Sequence, residues 1–247
     1  MLALAFWAGG AGADGASFFE PFDALDGDRW FVSDGWANGP HQSCLWHRDR
    51  VAVRDGALVL SLTDDAEGDR ALSCAEIQSE DRFHYGTFEA RVKVPYAHGM
   101  NVNFFTFIGP PQDRPHNEID FEFLARDAPV LQTNFHLRDD NRNEELHPME
   151  DDGAFLTLSV IWEADRLRWY VDGELIRTEA DGDLPDEPQK IYLSLWSTDT
   201  LTDWMGTFRA EDAPQHMEVD WVAYTAPGEG CAFEASILCA QGVEVPN

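Results

Sequence analysis

Between positions 116 and 123 the chain reads His-Asn-Glu-Ile-Asp-Phe-Glu-Phe, and this octet constrains the fold more than any other stretch. Glu118, Asp120 and Glu122 alternate with Ile119, Phe121 and Phe123. A period of two belongs to a β-strand, so three acids share one face and three large apolar groups share the other. The apolar face demands a core. The same period recurs over 58–62, 87–94, 102–108, 130–136, 155–162, 166–171, 191–196 and 217–224, and each run reads as a strand. Asp172-Gly173 falls between two such runs, a two-residue hairpin signal. No segment carries a sustained helical stripe, and no internal repeat is present. Many short strands punctuated by Gly, Pro and Asp predict an all-β chain built as an antiparallel sandwich or jelly roll.

The acidic face of the 118–122 run is costly. Two like charges about 4 Å apart repel by roughly 4 kcal/mol at an effective dielectric of 20. One carboxyl escapes by keeping its proton, which raises its pKa. A pair with one ionised and one protonated carboxyl is what glycoside hydrolysis requires. Four residues of strand separate the two Glu Cα atoms by about 13 Å, and side chains leaning inward bring the carboxyls toward the ~5–5.5 Å of a retaining mechanism. The same pattern also suits a calcium site or an exposed acidic edge strand, although oxygen-rich calcium sites usually come from irregular loops.

Charge narrows the partners. Seventeen Lys and Arg face 46 Asp and Glu, a formal net charge of -29. Such a field repels nucleic acid and anionic lipid, so neither is an expected partner. Residues 2–8 form a short apolar run, and Ala11-Gly12-Ala13 has the small-residue spacing of a cleavage site. Residues 1–13 therefore read as an export signal, which predicts a secreted or periplasmic protein. The run is too short for a membrane span. Cys44, Cys74, Cys231 and Cys239 make an even set that favours disulfides in an exported chain, with three pairings open. No Cys/His spacing suits zinc.

The triplet, in its strand context, resembles the E-[I/L]-D-x-E signature of glycoside hydrolase family 16. The likeness extends over almost the whole mature chain: residues 17–22 (SFFEPF), 33–39 (SDGWANG), 104–110 (FFTFIGP), Leu195-Trp196 with Asp203-Trp204, and Asp220-Trp221-Val222. It is similar to bacterial lichenases, and more so to the branch of secreted endo-β-1,3-1,4-glycanases that trim bacterial exopolysaccharide such as succinoglycan. The Pro115-His116 pair and the Cys231…Cys239 tail carry that second likeness.

The resemblance implies a concanavalin-like jelly roll and retention of configuration. It implies Glu118 as nucleophile, Asp120 as its helper and Glu122 as general acid/base. It also implies a Cys44–Cys74 disulfide, which leaves Cys231 to Cys239. Trp36, Phe105, Phe107 and Trp196 fall at cleft-lining positions, and Asn38, Glu76 and Asn134 at polar sugar contacts. Sugar rings present flat C–H faces that such aromatic platforms suit. Trp46, Trp162, Trp169 and Trp221 are expected in the core. A structural Ca2+ would be held by Pro21, Gly56 and Asp220, adding stability and no chemistry; no cofactor is needed for the reaction.

Four positions depart from the lichenase pattern: Gln78 replaces an Arg, His116 a Trp, His136 a Tyr and Ser194 an Asn. Gln78, His116 and His136 remain candidate substrate contacts, and the changes point away from strict lichenan specificity. The expected organisation is an export signal (1–13), a catalytic domain (14–227) and a disulfide-pinned tail (228–247). The expected activity is a monomeric endo-β-glycanase acting on a β-glucan or a glucan-like exopolysaccharide. The alternatives are a strict lichenase, a transglycosylase using the same site, and a lectin-like module that binds glycan without cutting it.

Overall fold

Two antiparallel sheets are packed against each other around the apolar halves of the alternating strands. The computed structural model describes residues 15–138, 140 and 143–240; the expected export signal over 1–13 lies outside them. The first sheet runs β14 (Glu174–Glu179), β13 (Leu167–Val171), β12 (Leu156–Trp162), β7 (Gly86–Lys93), β16 (Gln215–Thr225), β5 (Ala57–Leu62) and β4 (Val51–Arg54), with β1 (Phe18–Glu20) also paired to β16. The second runs β11 (Glu145–Pro148), β10 (Val130–Leu137), β9 (Asn117–Leu124), β8 (Met100–Ile108), β15 (Lys190–Ser197), β6 (Leu72–Ser79) and β2 (Trp30–Val32). A short β3 (Cys44–Trp46) lies parallel to β6. This is the all-β sandwich that the periodicity predicts.

All of the octet but His116 falls in β9, in the interior of the second sheet. Ile119, Phe121 and Phe123 are each 1% exposed, and Phe121 stacks on Phe104 of β8 with ring centroids 6.0 Å apart. Burying each such side chain is worth roughly 1.5–3 kcal/mol, so a one-residue slip of β9 would expose all three and bury the acids. Trp46, Trp162, Trp169 and Trp221 are buried as expected. The Asp172-Gly173 turn joins β13 to β14 with both residues at positive φ, 49° and 79°, as a primed hairpin turn requires.

Cys44–Cys74 ties β3 to β6, and Cys231–Cys239 closes the tail. Among the described residues the last element is α2 (Ile237–Ala240), preceded in the chain by the single-turn α1 (Thr202–Met205). Ile237 and Leu238 bury against Ile161 and Tyr170 of the first sheet. The Ile237 N–H donates to Glu89 Oε1 at 2.9 Å. The tail is thus held by packing and a buried carboxyl as well as by its disulfide.

Candidate active site

Strand register alone assembles the site. On β9, Glu118, Asp120 and Glu122 stand opposite Phe107, Phe105 and Asn103 of β8. On the other side they stand opposite His136, Asn134 and Gln132 of β10. Phe105, Asn103 and Asn101 in turn face Tyr192, Ser194 and Trp196 of β15, and Tyr192 and Ser194 face Gln78 and Glu76 of β6. Residues directly opposite in a sheet point to the same side. Five strands therefore present every one of these side chains on the face away from the core apolar set of β9.

Each acid has a different environment. Glu122 receives Asn101 Nδ2 on Oε1 at 2.9 Å and Gln132 Nε2 on Oε2 at 2.6 Å. Gln132 is itself held by Trp204 Nε1, donating to Oε1 at 3.0 Å. Burial raises the Glu122 pKa to about 7; the negative charge of Glu118 adds to the rise, and the Asn101 and Gln132 amides oppose it. Asp120 is 3% exposed. Burial, then the charges of Glu118 and Glu122, hold its carboxyl well above the usual range, and Arg177 partly offsets them. Glu118 is more open, its side chain 20% exposed, with Oε2 2.6 Å from His116 Nε2 and 4.0 Å from His136 Nε2. The result is one accessible carboxylate and, two alternations along the strand, a carboxyl able to carry a proton near neutral pH.

The flanking groups are built for a flat polar ligand. Phe105 stacks on Tyr192 at 4.8 Å, Phe107 meets His116 edge-on at 5.4 Å, and His116 stacks on His136 at 5.0 Å. Tyr192 O–H donates to Gln78 Oε1 at 3.3 Å. Glu76 accepts from Ser33 Oγ at 2.6 Å, and burial raises its pKa to about 7. Asn134 is buried, its Nδ2 3.1 Å from His136 Nε2. Trp36 leaves 40% of its surface exposed and leans edge-on against Trp46. Asn38 is exposed, its backbone N–H donating to Gln42 Oε1 at 3.0 Å.

Two expectations change. Trp196 lies on the site face but is only 8% exposed, with the rings of Trp204 and His41 at centroid distances of 6.3 and 5.7 Å, so it presents no open platform. The calcium set does not fit an ion as it stands. Asp220 Oδ2 already accepts from Arg91 Nη1 at 2.5 Å. Gly56 and Asp220 line one surface hollow together with Arg54 and His216. A cation there would meet a guanidinium in its way.

Sequence reasoning passed over Asn101, Asn103, Gln132 and Tyr192. Nothing local marks them, but each sits an even number of residues from a site position on its own strand, so a correct register would have found them.

Comparison with known proteins follows the same lines. Residues 38–223 match the family described as Glycosyl hydrolases family 16. The chain is 45% identical over 226 residues to the endo-1,3-1,4-beta-glycanase ExoK of Rhizobium meliloti, covering 90% of this chain and 84% of that protein. It is 33% identical to a beta-glucanase of Bacillus subtilis, covering 85% and 87%. Among solved structures, the Bacillus licheniformis beta-glucanase superposes with a TM-score of 0.80 at 30% identity, covering 85% of this chain and 98% of that one.

Proposed function

Because the chain belongs to glycosyl hydrolase family 16 and is a glycoside hydrolase of the endo-β-glucanase type, we propose that it is a secreted or periplasmic, monomeric, retaining endo-β-1,3-1,4-glycanase. Its substrate is a β-glucan or a glucan-like bacterial exopolysaccharide, cut at internal bonds. The observation that carries this reading is the split in environment along β9: Glu122, buried and held by two amides with a pKa near 7, against the more open Glu118.

The steps follow from those environments. Protonated Glu122 donates its proton to the glycosidic oxygen while the Glu118 carboxylate attacks C1, and the leaving chain departs as an alcohol. A covalent glycosyl-enzyme remains. Glu122, now ionised, takes a proton from water as the water oxygen attacks C1, and Glu118 is released as carboxylate. Two displacements restore the starting configuration. Burial and the charges of the two flanking acids push the Asp120 carboxyl well above the usual range, toward the neutral form that adds no third charge beside the nucleophile. Amides of Asn101 and Gln132 stabilise Glu122 in its ionised half-cycle.

The substrate class is drawn from the curated relatives together with the departures at Gln78, His116 and His136. A panel of barley β-glucan, lichenan, laminarin and succinoglycan, read by reducing-end release and product sizing, tests it. Internal cleavage of a β-1,3-1,4-linked polymer is expected, with none in Glu118→Gln. Activity on laminarin alone, or undiminished activity in that variant, overturns the reading.

A further inference from the structure

The two histidines that flank Glu118 converge on it. His136 stands directly across from Glu118 in the β9–β10 register, and His116 precedes Glu118 by two residues, on the same side of the chain. His116 Nε2 and His136 Nε2 lie 2.6 and 4.0 Å from Glu118 Oε2, and the three potential ligand atoms all fall within 4.8 Å of one another. The imidazole rings are nearly parallel, 14° apart, so both present a nitrogen edge toward one carboxylate. All three residues are partly exposed and open to an ion from solvent.

We propose that His116, Glu118 and His136 form a binding site for an imidazole-seeking divalent transition metal, Zn2+ being the probe, which caps the Glu118 carboxylate. Metal–nitrogen and metal–oxygen bonds of roughly 2.0–2.2 Å set ligand atoms about 3 Å apart. The observed spacings straddle that value, and side-chain rotation of about 1 Å closes the set without moving a strand. Two imidazoles and one carboxylate suit Zn2+, Cu2+ or Ni2+, while Ca2+ and Mg2+ require oxygen. Three protein ligands leave a fourth position for water. Asn134 Nδ2 and Asp120 Oδ2 lie 3.1 and 3.3 Å from the same His136 Nε2, so the ring turns away from them when that nitrogen takes the ion.

Binding depends on this geometry alone. Its consequence, that metal and glycan compete for the same carboxylate, rests on the assignment of Glu118 as nucleophile. The test is calorimetric titration of the whole protein with Zn2+ in excess Mg2+, which occupies the acidic surface, alongside the visible d–d bands of bound Co2+. Wild type, His116→Phe, His136→Phe and Glu118→Gln are compared, with thermal unfolding confirming that each is folded. One equivalent is expected to bind in wild type, weakening by about 10–100-fold or more in each variant, with tetrahedral or five-coordinate Co2+ bands lost in parallel. No saturable binding, or affinity equal to wild type in either histidine variant, overturns the site. Zn2+ is also expected to inhibit glycan cleavage competitively and reversibly by chelator. Histidine-dependent binding without inhibition leaves the metal site standing and overturns the role given to Glu118.

Discussion

Asn101 offers the sharpest handle on the acid/base. Its Nδ2 donates to Glu122 Oε1 at 2.9 Å, and this bond favours the ionised carboxyl against burial, which favours the protonated one. Asn101→Ala removes the donor and leaves Gln132 in place. A hydrogen bond to a charged group contributes about 1.5–3 kcal/mol, and one pKa unit corresponds to about 1.4 kcal/mol. The Glu122 pKa, about 7 in the native protein, therefore rises by roughly one to two units, less whatever water entering the gap restores. The assay is kcat/KM against pH on a soluble β-glucan. The basic limb reports loss of the acid's proton, so it moves upward from near pH 7 while the acidic limb stays in place. The height of the profile also falls, but the position of the limb is the decisive reading. A basic limb that stays or moves down, in a variant shown to be folded by its unfolding transition, refutes the assignment of Glu122 as the proton donor.

Other expectations address separate parts of the structure. Glu122→Gln, which keeps the shape and loses the proton, lowers kcat on glucan by about 100–10,000-fold; a loss under tenfold contradicts its role. Buried Glu76 keeps its proton up to about pH 7 in the fold against 4.5 for a solvated Glu carboxyl, so the unfolded chain releases that proton first and native stability falls as pH rises between those values. Glu76→Gln removes the slope and gains on the order of 3 kcal/mol over wild type between pH 4 and pH 8, measured by urea unfolding at both values; an unchanged difference contradicts a buried, protonated Glu76. The Arg91–Asp220 pair predicts that 1 mM Ca2+ leaves the wild-type melting temperature unchanged and raises it in Arg91→Gln, whose Asp220 is released. A comparable rise in wild type shows that the ion displaces the guanidinium.

The parts of this fold that were legible in the sequence are those with strict alternation. Residues 118–123 declared both faces of β9, and Asp172-Gly173 declared its hairpin, because each signal is local. Strand β6 was not legible: in Leu72–Ser79 all residues but Gln78 are buried, and small residues and Glu76 interrupt the apolar period. The three-residue β1, β2 and β3 are too short to show a period and owe their place to pairing with long strands. Within the site the same division holds. The acids were legible as a crowded set, since like charges on one strand face call for an explanation. Their partners Asn101 and Gln132 were not, because an amide carries no such signal until register places it against a carboxyl. Trp196 shows the limit of position alone: it occupies the expected face, yet is only 8% exposed beside Trp204 and His41.

The division of labour between Glu118 and Glu122 is tested most directly by azide rescue of Glu118→Ala and Glu122→Ala on an aryl β-glycoside with a good leaving group. Without its nucleophile, Glu118→Ala should let azide attack C1 from the vacated side and yield the α-glycosyl azide. Glu122→Ala still forms the covalent intermediate and should yield the β-glycosyl azide. Proton NMR of the two products distinguishes them by the anomeric coupling. The opposite pairing of variant and product, or rescue of neither by azide, contradicts the assigned roles.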